Sequence, residues 1–436
     1  MRVVFFSYGT RGDAQPQVAL AAGLEQHGFT TRITAPENLR SFVERAGIDY
    51  APLHGNSQEI LESDSGKRWL ESGNVAAFMK EAAAISARID PEVFRCGLEA
   101  AHDADAIVGG TLAEDLAFTL AEYKRIPFAF AHTIPMETTG DYANPFVTRR
   151  NLPLRGLNRA TFALFRVLAG RMHTKTLAEF RKTLGLPQRS GTVVSRAAEL
   201  DVPVLQLWSQ HLLPHQSDAP AKTVTTGFQR LPQNVRDRLG EKAPPEDLVR
   251  WLDAGPPPVY VGFGSMPVPS LIRFAEDILE IGRSIDVRFA LSPGWNEIES
   301  VRHLQCDGLH LVPPIDHGWL FQRCVAAVHH GGAGTTAASL EAGIPTVVCS
   351  FFADQPFWGV RVERLGVGAH LPWVKMNTQS LRNAVETALT DDVRRRAREI
   401  GAKLRAEDGN ARAVEALIRV LAPAEQELRK PIETPA

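Results

Sequence analysis

Short apolar runs recur along the chain, and each gives way to a small-residue turn and then to apolar positions at helical spacing. Val3–Tyr8 is the first run, rich in β-branched and aromatic residues, and it predicts a buried strand. Gly9–Asp13 predicts a loop. Val18, Leu20, Ala21 and Leu24 give Gln15–His27 a helical face, which Gly28 stops. A strand at Thr30–Thr34 and a helix at Glu37–Ala46 follow, then a strand at Asp105–Val108, a helix at Ala113–Tyr123 and a strand at Pro127–Ala131. Met136–Phe146 predicts a loop, and Asn158–Leu168 and Thr174–Leu184 predict two amphipathic helices, from which Phe162, Phe165, Val167 and Leu168 could line an apolar pocket or simply fill the core. Val202–Trp208 predicts the last strand of the first half. Leu213–Ala221, with Pro214, Ser217, Asp218 and Pro220, predicts the linker.

The same alternation resumes after Pro256-Pro257-Pro258. Val259–Ser265 predicts a strand running into a turn, and Leu271, Ala275, Ile278 and Ile285 a helical face. Val287–Leu291, Leu309–Val312, Cys324–Val328 and Pro345–Ser350 predict further strands. Helices follow at Thr378–Leu389, Val393–Ala406 and Asn410–Leu421. Alternating strands and helices predict an α/β protein with parallel sheets. The expected division is a first domain at 1–215, a second at 216–405, a C-terminal helix at 406–422 and a disordered tail at 423–436.

Composition narrows this picture only a little. With 436 residues, 44% hydrophobic and 22% charged, the chain reads as globular and multidomain. A net charge of −2 gives no sign of a nucleic-acid partner. Cys96, Cys306, Cys324 and Cys349 form no C-x-x-C pair and suit a reducing cytoplasm, so a cytoplasmic location is expected. No apolar stretch is long enough to span a membrane, which leaves room for transient contact with a membrane surface. Oligomeric state is left open.

The chemistry concentrates in two turns. Val328–Thr336 places Gly331, Gly332, Ala333 and Gly334 between a strand and a helix. A helix opening there presents unpaired N–H groups and a partial positive charge, a site suited to phosphate. Thr335 and Thr336 add hydroxyl donors and His330 an imidazole. Asp354 and Gln355, after the next strand, suit the hydroxyls of a sugar. A nucleotide-sugar site is the reading, although such a turn also serves packing alone, and its glycines do not fall as G-x-G-x-x-G. In the first half, Asp13 follows the first strand, where ligands of such sheets bind. It is either a general base or a cap for the next helix. His132, Thr133 and Met136 follow the Pro127–Ala131 strand and either border a substrate or serve structure.

Val312–Gln355 resembles the donor-binding signature of the family 1 glycosyltransferases, the UDP-glycosyltransferase superfamily. The resemblance rests on Val312-Pro313-Pro314-Ile315, on His329-His330-Gly331-Gly332-Ala333-Gly334-Thr335-Thr336 and on Asp354-Gln355-Pro356-Phe357-Trp358-Gly359. These run closest to the bacterial natural-product and sterol glucosyltransferase branches, as does Gly12-Asp13-Ala14-Gln15-Pro16. The resemblance implies the GT-B fold, two facing Rossmann-like domains with a cleft between them. It implies an inverting, metal-independent hexosyltransferase that uses a UDP- or dTDP-linked sugar as co-substrate and no other cofactor. Asp13 would be the base. Ser265, Val312, His330, Gly331, Gly332, Ala333, Gly334, Thr335, Thr336, Asp354 and Gln355 would hold the donor. Thr10, His132 and Met136 would border a hydrophobic acceptor such as an antibiotic-type natural product, a sterol or a lipid. Two departures stand out: Val312 replaces an aromatic residue that stacks on the base, and Gly110-Thr111 stands where a carboxylate partner of the base is expected. A catalytically silent relative that binds a nucleotide sugar, or helps a partner enzyme, is the alternative.

Overall fold

Among the described residues, thirteen strands build two sheets, and every neighbouring pair runs parallel. The structure is a computed structural model and describes residues 1–56, 59, 75–148, 150–187, 200–240, 244–264, 266, 268, 270–294 and 298–428. The first sheet contains β1 (Arg2–Phe6), β2 (Thr30–Pro36), β3 (Asp49–Leu53), β4 (Ala106–Gly110), β5 (Phe128–His132), β6 (Val204–Gln206) and β7 (Thr223–Thr225), in the order β3-β2-β1-β4-β5-β6-β7. The second contains β8 (Val259–Gly262), β9 (Phe289–Ser292), β10 (Leu309–Leu311), β11 (Ala326–His329), β12 (Thr346–Val348) and β13 (Gly368–His370), in the order β10-β9-β8-β11-β12-β13. Both orders reverse direction beside the first strand, between β1 and β4 and between β8 and β11. The carboxyl ends of strands at such a reversal open a crevice for ligand. The turn carrying Gly9–Asp13 leaves β1, and the glycine-rich turn leaves β11, so each sits at its sheet's reversal.

Continuous apolar strands make sense here because helices cover both faces of each sheet. Val3, Phe5, Val108 and Ala129 face one core of the first sheet, while Val4, Phe6, Ile107 and Phe130 face the other. A further apolar cluster joins the two halves. Tyr142, Phe162, Trp208 and Phe228 pack with Leu340, Val348, Phe357 and Trp358, and the Trp208 and Trp358 rings lie 6.4 Å apart. Among the described residues no helix is long and apolar enough to cross a membrane.

Several expected boundaries move. The first helix spans Arg11–Glu25, four residues earlier than the apolar spacing indicates, because Thr10 caps it. One helix, Arg155–Thr183, replaces the two expected at Asn158–Leu168 and Thr174–Leu184. No proline interrupts 169–173, and a single glycine costs only about 1 kcal/mol. It packs against the helix Val75–Ala100, with the Phe94 and Phe180 rings stacked at 4.7 Å. Phe162 is core, whereas Val167 and Leu168 are exposed.

The boundary at 215 is too early. β7 still belongs to the first sheet, and the helix Gln233–Leu239 buries Val235 and Leu239 in the first core. Glu246–Asp253 is the first helix to bury its leucines in the second half. The expected linker instead ties the first half together, through Asp218 to Thr139, Gly140 and Arg159. The last helix, Gly409–Leu428, returns to the first half and packs on Arg11–Glu25. A Cβ on Gly23 would lie 2.5 Å from Val414 Cγ2, so glycine permits that approach. This helix runs six residues into the segment expected to be disordered, since Ala424–Leu428 are good helix formers despite Pro423. Residues 429–436 lie outside the described residues.

Candidate active site

Asp13 is placed by its own helix start. Thr10 is the N-cap, its hydroxyl accepting from the Gly12 amide at 3.2 Å. Asp13, three residues on, turns back so that Oδ2 accepts from the Thr10 amide at 2.8 Å and from its hydroxyl at 3.3 Å. This is a capping box with aspartate in the third position. Gly9 makes room for it. Its φ is +121°, and a Cβ there would lie 2.3 Å from Asp13 Oδ2. The carboxyl is half-buried. Desolvation pushes it up to about 6, against the pull of the two Thr10 hydrogen bonds. Asp13 lines a narrow pocket with Gln17, Thr111, Leu112 and Thr133. Thr10, not Asp13, is therefore the N-cap, and Asp13 completes the capping box while remaining the candidate base.

The second half supplies the glycine-rich turn and Asp354, which feels the charge of Asp13. His329 is fully buried; its Nδ1 accepts from the Gly331 amide at 3.0 Å, and burial holds its pKa far below the usual value. It shapes the turn as a neutral ring. His330 is less enclosed than His329. Its Nδ1 is buried without a partner, and a Cβ on Gly264 or on Gly332 would lie 3.3 Å or 2.6 Å from its ring. Burial, then the charge of His317, pushes its pKa down to about 4, so at neutral pH it is an uncharged donor. Gly331 adopts a φ of +93°, with Val348 where a Cβ would be. Gly332 is the N-cap of the helix Ala333–Glu341, and the amides of Ala333, Gly334 and Thr335 open that helix. Gly334 is exposed, with free space above it.

Ala353, with φ +54°, swings Asp354 out of the β12 turn, and Asp354 Oδ2 accepts from the Trp358 indole at 2.7 Å. Trp358 itself is wholly buried against Trp208, so packing fixes the aspartate. Burial pushes Asp354 up to about 7; the indole hydrogen bond opposes this, and the charge of Asp13 adds to it. Asp354 is thus near enough to Asp13 to feel its charge. An ion pair from Arg236 to Asp316 at 3.0 Å joins the two halves.

Other expected residues are placed elsewhere. Val312 is fully buried among Leu248, Tyr260 and Phe321, so its side chain offers no surface to a base. Gln355 is 5% exposed, and its carbonyl oxygen accepts from the Phe351 and Phe352 amides at 2.8 Å and 3.3 Å, which makes it a brace for the loop before Asp354. Thr336 is buried, leaving Thr335 as the hydroxyl nearer solvent. Thr10 is committed to the cap. His132 is 1% exposed and bridges Glu137 at 2.6 Å and Glu114 at 3.1 Å. Its burial favours the neutral ring, but the two carboxylates prevail and hold it charged, with the pKa pushed up to about 10. It is a buried ion triad and not an acceptor contact. Met136 is half-buried beside it. Ser265 lies outside the described residues. Sequence reasoning missed the Arg236–Asp316 pair, the hold of Trp358 on Asp354, and Gln17. Thr10-x-x-Asp13 carried a capping-box signal that was there to be read.

Known proteins resemble this chain along most of its length. Residues 3–139 match the glycosyltransferase family 28 N-terminal domain, and residues 283–418 match the erythromycin biosynthesis protein CIII-like C-terminal domain. A sterol 3-beta-glucosyltransferase of Arabidopsis thaliana is 31% identical over 100% of this chain and 68% of its own length. Another from Aspergillus clavatus is 32% identical over 97% of this chain but only 30% of its own length. Among solved structures, the glycotransferase of kitacinnamycin superposes with a TM-score of 0.71 at 19% identity, covering 96% of this chain and 99% of that one. The glycosyltransferase VinC, solved with dTDP, gives 0.64 at 18% identity, covering 98% and 100%. The two facing sheets have the GT-B fold.

Proposed function

We propose that this chain, which belongs to the family 1 glycosyltransferases of the UDP-glycosyltransferase superfamily, moves a hexose from a UDP- or dTDP-linked sugar to a hydroxyl of a hydrophobic acceptor, with inversion and without a metal ion. The observation that carries this is that Asp13 follows β1 and His330 follows β11, each at the reversal point of its own sheet, with Asp354 near enough to feel the charge of Asp13. Asp13 takes the proton from the acceptor hydroxyl. The oxygen attacks the anomeric carbon, the bond from that carbon to the diphosphate breaks, and the electron pair leaves on phosphate. His330, the Ala333–Thr335 amides and Thr335 stabilise the departing charge, and oriented donors of this kind are a large part of catalysis. Asp354 holds sugar hydroxyls. Attack from the Asp13 side, opposite the departing phosphate, inverts the anomeric centre.

A sterol is the first acceptor to try, because the relatives named above are sterol 3-beta-glucosyltransferases. A base at about 6 is better matched to a hydroxyl than an ordinary aspartate would be. The test is to incubate purified protein with UDP-glucose or dTDP-glucose and a sterol in detergent micelles, with EDTA present. Proton NMR of the product then reads the anomeric coupling. A β-glucoside formed from the α-linked donor is expected. An α-glucoside, or transfer only after a divalent cation is restored, would overturn the mechanism.

A further inference from the structure

Gln17 lies one turn after Asp13 on the helix Arg11–Glu25, so both side chains leave the same face. It is 2% exposed, an unusual place for a polar side chain beside a cleft. Its orientation is fixed. Nε2 donates to the Phe6 carbonyl at 3.1 Å, and a carbonyl only accepts, so Oε1 must be the other end of the amide. That Oε1 is buried and has no donor. A buried acceptor left unpaired is costly and calls for a reason. Asp13 and Gln17 line the same cleft, together with Gly110 and Thr111. A Cβ on Gly110 would lie 2.0 Å from Gln17 Nε2, so the amide fills the space that a side chain at 110 would need.

We propose that Gln17 positions Asp13 through its proton: when Asp13 has taken the acceptor's proton, that carboxyl donates a hydrogen bond to Gln17 Oε1. The step is a proton transfer alone. The O–H bond of the acceptor breaks, the new O–H forms on Asp13, and Gln17 accepts without changing its own protonation. Thr10 occupies Oδ2 of Asp13, which leaves Oδ1 to carry the proton. The amide of Gln17 thus takes the place of the carboxylate that Gly110-Thr111 lacks. This rests on the assignment of Asp13 as base.

The neighbours leave this arrangement legible in a titration. On the same helix, Arg11 turns away over the Phe42 ring. Tyr8, on the turn after β1, has its pKa raised to about 12 and stays neutral. From β5, His132 is held between Glu114 and Glu137. From the second half, Asp354 is the carboxylate that senses Asp13. Accepting from the protonated form raises the pKa of Asp13. Losing the acceptor lowers it, and a carboxylate in its place raises it further.

The experiment is kcat/KM against pH for the parent, Gln17→Leu and Gln17→Glu, with thermal midpoints measured alongside. Gln17→Leu should move the acid limb about one unit lower and reduce the plateau about tenfold. Gln17→Glu, of the same size, should move the limb higher. If neither variant moves the limb, whatever it does to stability, Gln17 only packs and the proposal fails. Asp13→Asn is run in parallel. If Asp13→Asn still transfers at the parent rate, the fault lies with the base and not with Gln17.

Discussion

Asp13 does two things with one carboxylate: it closes the capping box of the first helix and faces the cleft as a base. Its Thr10 hydrogen bonds favour the ionised form, and desolvation disfavours it more strongly. Asp354 carries the same conflict. A base must be ionised to act, so kcat/KM should fall as pH drops below a midpoint between about 6 and about 7. Asp354 titrates in the field of ionised Asp13, so its protonation contributes to the same limb. A limb near pH 4, where an ordinary aspartate titrates, would mean that neither carboxylate is desolvated in the working enzyme. At this scale the sequence was informative wherever a residue type is forced. Gly331 must adopt a positive φ, Gly9 must make room for Asp13, and Asp354 must follow its strand. It was uninformative about direction. Val312 and Gln355 sit in the right motif, yet one side chain points into the core and the other braces a loop. Nothing local distinguishes a buried side chain from one that faces a ligand.

Strands and helices repeat the lesson with longer reach. The apolar runs at β1, β4, β5, β8 and β11 were legible because a strand covered on both faces has no polar positions. β3, β7 and β13 were missed; β7 and β13 are only three residues long, too short to show a period, and β3 carries Asp49 and Pro52 among its five residues. The sequence left His132 between bordering a substrate and serving structure, because its partners come from a helix start, Glu114, and a loop, Glu137, and no spacing announces that meeting. The triad has a measurable consequence. His132→Ala leaves two carboxylates without their cation, one of them fully buried, and should cost about 3–5 kcal/mol in a urea titration. A loss below about 1 kcal/mol together with a raised acceptor KM would return His132 to the acceptor site. The sign with pH is also set. A histidine whose folded pKa is raised stabilises fully below its unfolded value and loses that contribution as pH rises through about 10.

Across the whole molecule, one cleft is made by two sheets that reverse at matching points and are tied by the Trp208–Trp358 cluster, the Arg236–Asp316 pair and the returning C-terminal helix. Alternating strands and helices made two α/β halves predictable. The exact crossing was not, because residues 226–240 follow the apparent linker yet still pack on the first half. The central claim is that Asp13 acts as a base within a donor site it does not build. Its carboxyl is desolvated, so the charged form strains the fold: stability rises as pH falls from above about 6 towards the ordinary aspartate range. The most direct measurement is Asp13→Asn at pH 8, read by thermal midpoint with and without UDP or dTDP and by transfer in EDTA. The account predicts a variant about as stable as the parent or more so, by about 1 kcal/mol after allowing for solvent access. The nucleotide should still raise its midpoint, and transfer should fall at least a thousandfold. Parent-level transfer, or loss of the nucleotide response in a variant that remains folded, would contradict it.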